Sequence, residues 1–399
     1  MSKKTTALLV CAAVTAAMAS HPALAEEQEI RIGALYATSG PCLIFGESAL
    51  KGHQMLVDKV NAEGGIDGRK VVTVHRDSKC NPAEATAAAR DMIAKDGVDF
   101  LVGGISSSEG QAISEVAKQE GVIYVASIPK TTEMTSPEYF HRHLFRAAAN
   151  TNTEGKSAAI IVDKLGWDKV CTLLLDYSYG YSLDESFTAH LQKIRPDAQI
   201  INQEWPKFGT TDYTAYITKT MGAGCDGVFS NIWGGIFPAF AKQAKPFGFF
   251  DQLEFVSAGE VGAPLVSENM GKDMPAGIWT NSYELFYYPD TPEHNAYVKE
   301  LKAYLGSEHP PSWPSTGYIA AKWVLEGVRA AGDVNADAVI AALEGLTIDT
   351  PIGKQTMRAS DHQANRGQFW GQMSDSEDES YPFKVLNPVE YVPADDLMD

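Results

Sequence analysis

Apolar positions along the chain come in short runs that alternate with stretches of helical spacing. Residues 30–36, Ile-Arg-Ile-Gly-Ala-Leu-Tyr, read as a buried strand closed by the turn Thr38-Ser39-Gly40-Pro41. Ala49, Met55, Leu56 and Val60 then recur on one helical face over 46–62, and Gly64-Gly65 ends that helix. A strand over 71–75, an alanine-rich helix over 82–95, a strand over 98–102, a helix over 111–119 and a strand over 121–126 follow. The pattern restarts with helix 153–165 and runs through strand 169–175, helix 182–193, strand 200–204, helix 213–221, strand 227–231, a helix to 244 and strand 253–257. Strands separated by helices of this length make βαβ units and parallel sheets. Helices over 293–305, 317–331 and 334–343 complete the pattern, and from 350 the chain is turn-rich and mixed. The prediction is an α/β protein of two doubly wound parallel-sheet lobes.

The start of the chain departs from this pattern. Lys3 and Lys4 precede an apolar run over 7–19, and Ala23-Leu24-Ala25 supplies a small-x-small cleavage site. That is the form of a secretory signal peptide over 1–25, with an apolar run too short to span a bilayer. The working chain then begins at Glu26 and resides in the periplasm. Cys11 sits within the apolar run and too near the start to serve as a lipid-attachment site, which favours a soluble form. The leader holds two lysines and no acid, so the formal net charge of −18 becomes −20 on cleavage. A chain this acidic lacks the basic clusters that phosphate contacts require, so nucleic acid is excluded as a partner. Its length exceeds one hydrophobic core, which again implies two domains.

Four cysteines remain after cleavage: Cys42, Cys80, Cys171 and Cys225. An even count in an oxidising compartment points to disulfides. Cys42 and Cys80 each follow a predicted strand end, and neighbouring parallel strands would bring those loops together. Cys171 and Cys225 lie at the starts of predicted strands, where either a bridge or two buried thiols fits.

Catalytic signatures are missing. No Gly-x-Gly-x-x-Gly follows the first strand, and neither a phosphate loop nor a His-Glu-x-x-His helix occurs. Residues 104–110 have the wrong spacing for a nucleophile elbow. His141 and His143, two apart in a loop, fit a solvated pair better than a metal site. No cofactor, metal or catalytic residue is expected. Polar, glycine-rich loops at the carboxyl ends of the strands are where open α/β sheets bind ligands, and two facing lobes make a cleft that closes by hinge motion.

Several segments in order carry a family resemblance: Ser39-Gly40-Pro41, Asn61-Ala62-Glu63-Gly64-Gly65-Ile66-Asp67-Gly68, Asp77 with Cys80-Asn81-Pro82, and Gly103-Gly104 with Ser106-Ser107-Ser108. Tyr179-Gly180, Gly209-Thr210-Thr211-Asp212-Tyr213 and Pro351-Ile352-Gly353-Lys354 follow. The chain resembles the periplasmic solute-binding proteins of the branched-chain amino acid (leucine/isoleucine/valine) ABC transporter family. The resemblance implies a type I periplasmic binding protein with a three-crossing hinge. It divides the chain into a first lobe of 26–146 plus 283–348 and a second of 147–282 plus 349–399. It also implies a monomer that delivers a small-molecule solute to an inner-membrane ABC permease.

The resemblance carries site residues with it. Ser107 matches the serine that holds a solute carboxylate, and as a helix N-cap it has an alternative role. Ile128 and Lys130 lie in the loop after the fourth strand, where the family usually has small residues and a threonine. Lys130 either reaches a solute carboxylate or stays solvated. Tyr179 matches the tyrosine that closes over the solute, and Trp233 stands where tyrosine is common. Glu260 lies near the acid that pairs with a solute ammonium, or is a plain hinge-loop acid. Phe45 and Trp313 are candidate aromatic walls. Tyr283, Phe286, Tyr287 and Tyr288 are expected mainly to pack.

Lys130 with several aromatics suits an aromatic carboxylate, whereas Glu260 favours a solute carrying an amine. Both remain open on this reading, as do amides and urea. Three functions compete: a binding protein for an amino acid or aromatic acid, a ligand sensor serving a membrane receptor without transport, and a secreted α/β enzyme. The last lacks both a nucleophile–base pair and a metal site.

Overall fold

The computed structural model describes residues 29–398, so the proposed leader, its cleavage site and Cys11 lie outside the described residues. The first sheet holds β1 (Ile30–Tyr36), β2 (Val71–Asp77), β3 (Phe100–Gly103), β4 (Ile123–Ala126) and β5 (Leu144–Arg146). Its strands are all parallel, in the order β2-β1-β3-β4-β5. Helix α1 (Leu43–Ala62) joins β1 to β2, α2 (Pro82–Ala94) joins β2 to β3, and α3 (Ser107–Glu120) joins β3 to β4. The second lobe opens with α4 (Thr151–Leu165), then β6 (Lys169–Leu173), α5 (Ser178–Ile194) and β7 (Gln199–Glu204). It continues with β8 (Gly227–Ser230), β9 (Glu254–Ser257) and β10 (Trp279–Ser282). A short hairpin, β11 (Thr347–Thr350) and β12 (Gly353–Thr356), precedes β13 (Gln368–Ser374) and β14 (Val385–Val392). The second sheet runs β14-β13-β10-β9-β8-β6-β7, with β13 antiparallel to both neighbours.

Helices Pro292–Leu305 and Pro314–Ala331 return to the first lobe. Two glycines let α1 lie backbone to backbone against the second of them. A Cβ at Gly52 would fall 1.9 Å from the Pro314 carbonyl oxygen, and one at Gly317 would fall 1.8 Å from that of Ala49. No side chain fits at either distance. Indole and phenol rings fill the two cores, with Trp323 on the first-lobe side and Trp167 and Trp370 on the second.

The chain passes between the sheets three times. The first passage follows β5, the second follows β10, and the third corrects the predicted boundary. The sequence reading assigns 349–399 to the second lobe. In the structure the segment as far as Ala364 stays on the first. The Arg146 N–H donates to His362 O at 2.9 Å, and the Ala364 N–H donates to Arg146 O at 2.9 Å, so this stretch extends the edge of the first sheet. His362 also stacks on Phe145 at 4.1 Å between ring centroids. The crossing therefore falls between Ala364 and Gln368. A turn-rich segment has no apolar period to show which sheet it joins.

Both cysteine pairs are bridged, with Cα–Cα distances of 5.9 Å for Cys42–Cys80 and 5.8 Å for Cys171–Cys225. The second bridge resolves the open alternative: β6 and β8 are parallel neighbours, so the strand start at Cys171 meets the loop that leads into β8. No helix among the described residues is long and apolar enough to cross a membrane.

Candidate functional site

In each sheet the connections reverse direction once, between β1 and β3 in the first and between β6 and β8 in the second. Loops beyond the carboxyl ends of strands diverge at such a point and leave a crevice. Here the two crevices face each other. One cavity between them is lined by residues from both lobes. All eight residues singled out from the sequence border it: Phe45, Ser107, Ile128, Lys130 and Trp313 from the first lobe, and Tyr179, Trp233 and Glu260 from the second. Ile105, Ser106, Tyr177 and Tyr283 complete the lining together with backbone at Gly234 and Gly259.

The walls are aromatic. Phe45 meets Trp233 across the lobes with ring centroids 4.9 Å apart, and meets Trp313 edge-on at 4.5 Å. Trp233 in turn stacks on Phe208 at 5.7 Å. Gly235 allows this approach, because a Cβ there would lie 2.5 Å from the Phe45 ring.

One end of the cavity is the start of α3. The residue that caps this helix is Ser106 rather than Ser107. Its hydroxyl accepts from the Glu109 N–H at 3.3 Å, and the Glu109 carboxylate accepts from the Ser106 N–H at 3.2 Å, a reciprocal capping box. The helix thus begins four residues before the apolar period reveals it. Ser107 is freed from capping. Its hydroxyl accepts from the Lys130 and Thr131 N–H groups at 3.3 and 3.0 Å, tying the α3 start to the loop after β4. First-turn N–H groups of a helix have no intrahelical acceptor and favour an anion.

The other end is a buried charge cluster. The Lys130 ammonium, 5% exposed, pairs with Glu154 and with Glu260 at 2.9 Å, both acids lying in the second lobe. Its remaining face lies 4.4 Å from the Tyr283 ring centroid. Burial acts to lower the Lys130 pKa, but the two carboxylates more than offset it and hold it well above the ordinary value. Burial pushes the Glu154 carboxyl up against the pull of Lys130. The Asn281 amide donates to Glu154 at 2.8 Å and to Glu260 at 3.2 Å, and the Tyr179 hydroxyl lies 2.9 Å from both Glu154 and Ala258 O. Glu260 has φ +56°, and its N–H donates to Asn281 Oδ1 at 2.8 Å, which fixes this left-handed residue. Its Oε2 is buried without a hydrogen-bond partner.

This geometry changes two expectations. Lys130 is neither solvated nor directed at a free solute carboxylate, since it is the counter-ion of Glu154 and Glu260. Glu260 is not a plain hinge-loop acid, and one of its oxygens is already engaged. Glu154, Asn281 and Tyr177 were not singled out from the sequence. A glutamate in a first helical turn is ordinary charge placement, and β10, which carries Asn281, is too short to show an alternating pattern. Tyr283, expected to pack, is instead the ring beneath Lys130. No group of three metal-ligating side chains occurs among the described residues.

Comparison with known proteins places this arrangement. The sequence pattern of a family described as "Periplasmic binding protein" matches residues 29–378. The leucine-, isoleucine-, valine-, threonine- and alanine-binding protein of Pseudomonas aeruginosa is 28% identical over 353 residues, 86% of this chain and 89% of that one. The leucine-specific-binding protein of Salmonella typhimurium is 26% identical over 315 residues, 78% and 80% of the two chains. An ABC transporter solute-binding protein of R. palustris in complex with 4-hydroxybenzoate superposes with a TM-score of 0.83 at 19% identity, covering 92% of this chain and 97% of that one. The branched-chain amino acid transporter substrate-binding protein of Streptococcus pneumoniae in complex with isoleucine does so with 0.78 at 21%, covering 92% and 100%. At those identities the two structures speak for the fold alone. With the family match over most of its length, the chain belongs to the periplasmic binding protein family, which includes the Leu/Ile/Val-binding proteins, and is a solute-binding protein rather than an enzyme.

Proposed function

We propose that this protein captures a small carboxylate-bearing solute, an amino acid or an aromatic acid, in the interlobe cleft and delivers it from the periplasm to an inner-membrane ABC permease. The observation that carries the reading is the convergence of eight residues from both lobes on one cavity, with a helix start at one end and aromatic walls along it. The solute carboxylate sits at the α3 start beside Ser107, where the helix dipole and free N–H groups favour it. Its body lies against Phe45, Trp233 and Trp313, with Ile128 and Tyr179 completing the enclosure. Closing the lobes brings Lys130 to Glu154 and Glu260, so capture and closure are one event. The relatives named above bind leucine and its congeners, and the structural neighbours hold 4-hydroxybenzoate and isoleucine. Both classes fit the walls.

The test is a thermal-shift screen of the 26–399 chain against branched-chain and polar amino acids, benzoate-type acids, amides and urea. A ligand that binds only the folded state at a hundred times its Kd adds about 2.7 kcal/mol of stability. A shift of several degrees with a carboxylate, absent with amides and urea, is the expected result. Loss of uptake of that solute on deletion of the protein checks the permease step, whereas unaltered uptake removes it.

A further inference from the structure

We propose that Lys130 is a built-in counter-cation that makes this site select carboxylic acids lacking an ammonium group. The inference rests on the proposed function and names the solute class it takes. Two acids and two cations meet around the cavity floor: Glu154 and Glu260, Lys130 and Arg366. Arg366 is 2% exposed, donates to Tyr283 O at 2.7 Å and lies 5.1 Å from the ring centroid of the same tyrosine that Lys130 contacts, and the Glu260 charge supports its guanidinium against the cost of burial. Glu284, the next acid in sequence, is engaged 3.1 Å away by His294. The charges around the floor therefore balance.

A solute ammonium leaving water for a buried site needs a carboxylate whose charge is not already matched. Here the open position is Oε2 of Glu260, and a solute ammonium placed there would lie beside the Lys130 ammonium held on Oε1 of the same carboxylate. Lys130 cannot withdraw. Its N–H donates to Ser107 Oγ in its own lobe, and its carbonyl accepts from the Thr151 N–H at 2.8 Å in the other, so its backbone is held from both sides. Its side chain is buried, so its ammonium stays in the cavity beside the solute's own. Two like charges that close, sharing two acids, favour expulsion of the solute.

A carboxylate without an amine meets no such penalty. It lies at the α3 start, and its flat or branched apolar body lies along Phe45, Trp233 and Trp313. The unpartnered Glu260 Oε2 can accept from a neutral donor on the far end of the solute, a hydroxyl for example.

Matched pairs differing only in the α-ammonium isolate the effect: 3-phenylpropionate against L-phenylalanine, 3-(4-hydroxyphenyl)propionate against L-tyrosine, and 4-methylpentanoate against L-leucine. Isothermal titration of the 26–399 chain is expected to show the amine-free member at least tenfold tighter in each pair that binds. Lys130→Met, which keeps the stem and removes the charge, is expected to shift the ratio at least tenfold toward the amino acid. Where that variant does not fold, Lys130→Gln, which removes the same charge and keeps a hydrogen-bond donor for the two carboxylates, replaces it, with the same shift expected. An amino acid tighter in the unmodified protein, or a ratio unmoved by either variant, overturns the inference and leaves the proposed function standing. Failure of every member of every pair to bind, with no shift in the wider screen, overturns the proposed function and this inference with it.

Discussion

Trp313 shows how much one residue joins. It is 2% exposed, stands at the start of the helix Pro314–Ala331, and meets Phe45 in a T-shaped contact in the cavity. Trp313→Ala is expected to weaken solute binding at least tenfold, read by titration, because it removes a wall and leaves a cavity that neighbours fill only in part. His53 belongs to stability rather than binding. It is fully buried between α1 and β2, where its Nε2 contacts Thr73 Oγ1 at 3.0 Å, and burial lowers its pKa from 6.5 to about 4. Between those two values the unfolded chain binds the proton and the folded one does not, so stability falls as pH drops from 6.5 toward 4. By that linkage the loss reaches about 3 kcal/mol below pH 4. The expected outcome is a melting temperature that falls through this window and falls less steeply in His53→Gln.

At the scale of elements, the site residues cluster at helix starts, and this is where sequence periodicity is weakest. Ser107, Tyr179 and Trp313 lie at the beginnings of α3, α5 and the helix Pro314–Ala331. The apolar period predicts starts at 111, 182 and 317, because these first turns are turned toward the cavity rather than the core. The helices themselves were legible, and their first turns were not. Contact between α1 and Pro314–Ala331 depends on two glycines. Gly52→Ala or Gly317→Ala is expected to destabilise by about 2–3 kcal/mol, since the added methyl meets backbone that cannot step aside. Denaturant titration measures this, and a change under 1 kcal/mol would show that the helices part easily. The Cys42–Cys80 bridge joins the loop before α1 to the loop before α2. Replacing both cysteines with serine is expected to lower stability by about 2–4 kcal/mol.

Across the whole molecule, the closed form is held by contacts that each need both lobes: Lys130 with Glu154 and Glu260, Phe45 with Trp233, and the Thr132 N–H with Ser182 Oγ at 3.2 Å. An ion pair stripped of one partner leaves a buried charge behind, which costs more than the pair contributed. Lys130→Met is therefore expected to shift the unliganded protein toward an open form. Small-angle scattering would show this as a larger radius of gyration that a tightly bound solute reverses. An unchanged radius would mean that the aromatic contacts alone keep the lobes together.

Order along the chain determined the strand–helix alternation and the two lobes, because these follow from local periodicity, and its resemblance to a known family pointed to the eight residues that border one cavity. Tertiary structure decided the rest. Lys130 and Glu260 stand 130 residues apart, and from their positions each could be assigned separately to a solute carboxylate or a solute ammonium. Only the closure of one lobe on the other makes them partners. The third crossing is likewise set by hydrogen bonds from 362–364 to the edge strand at Arg146, and the second disulfide by the adjacency of β6 and β8. Pairings between distant segments depend on which surfaces face each other after folding, and a local pattern of apolar and polar positions does not encode that.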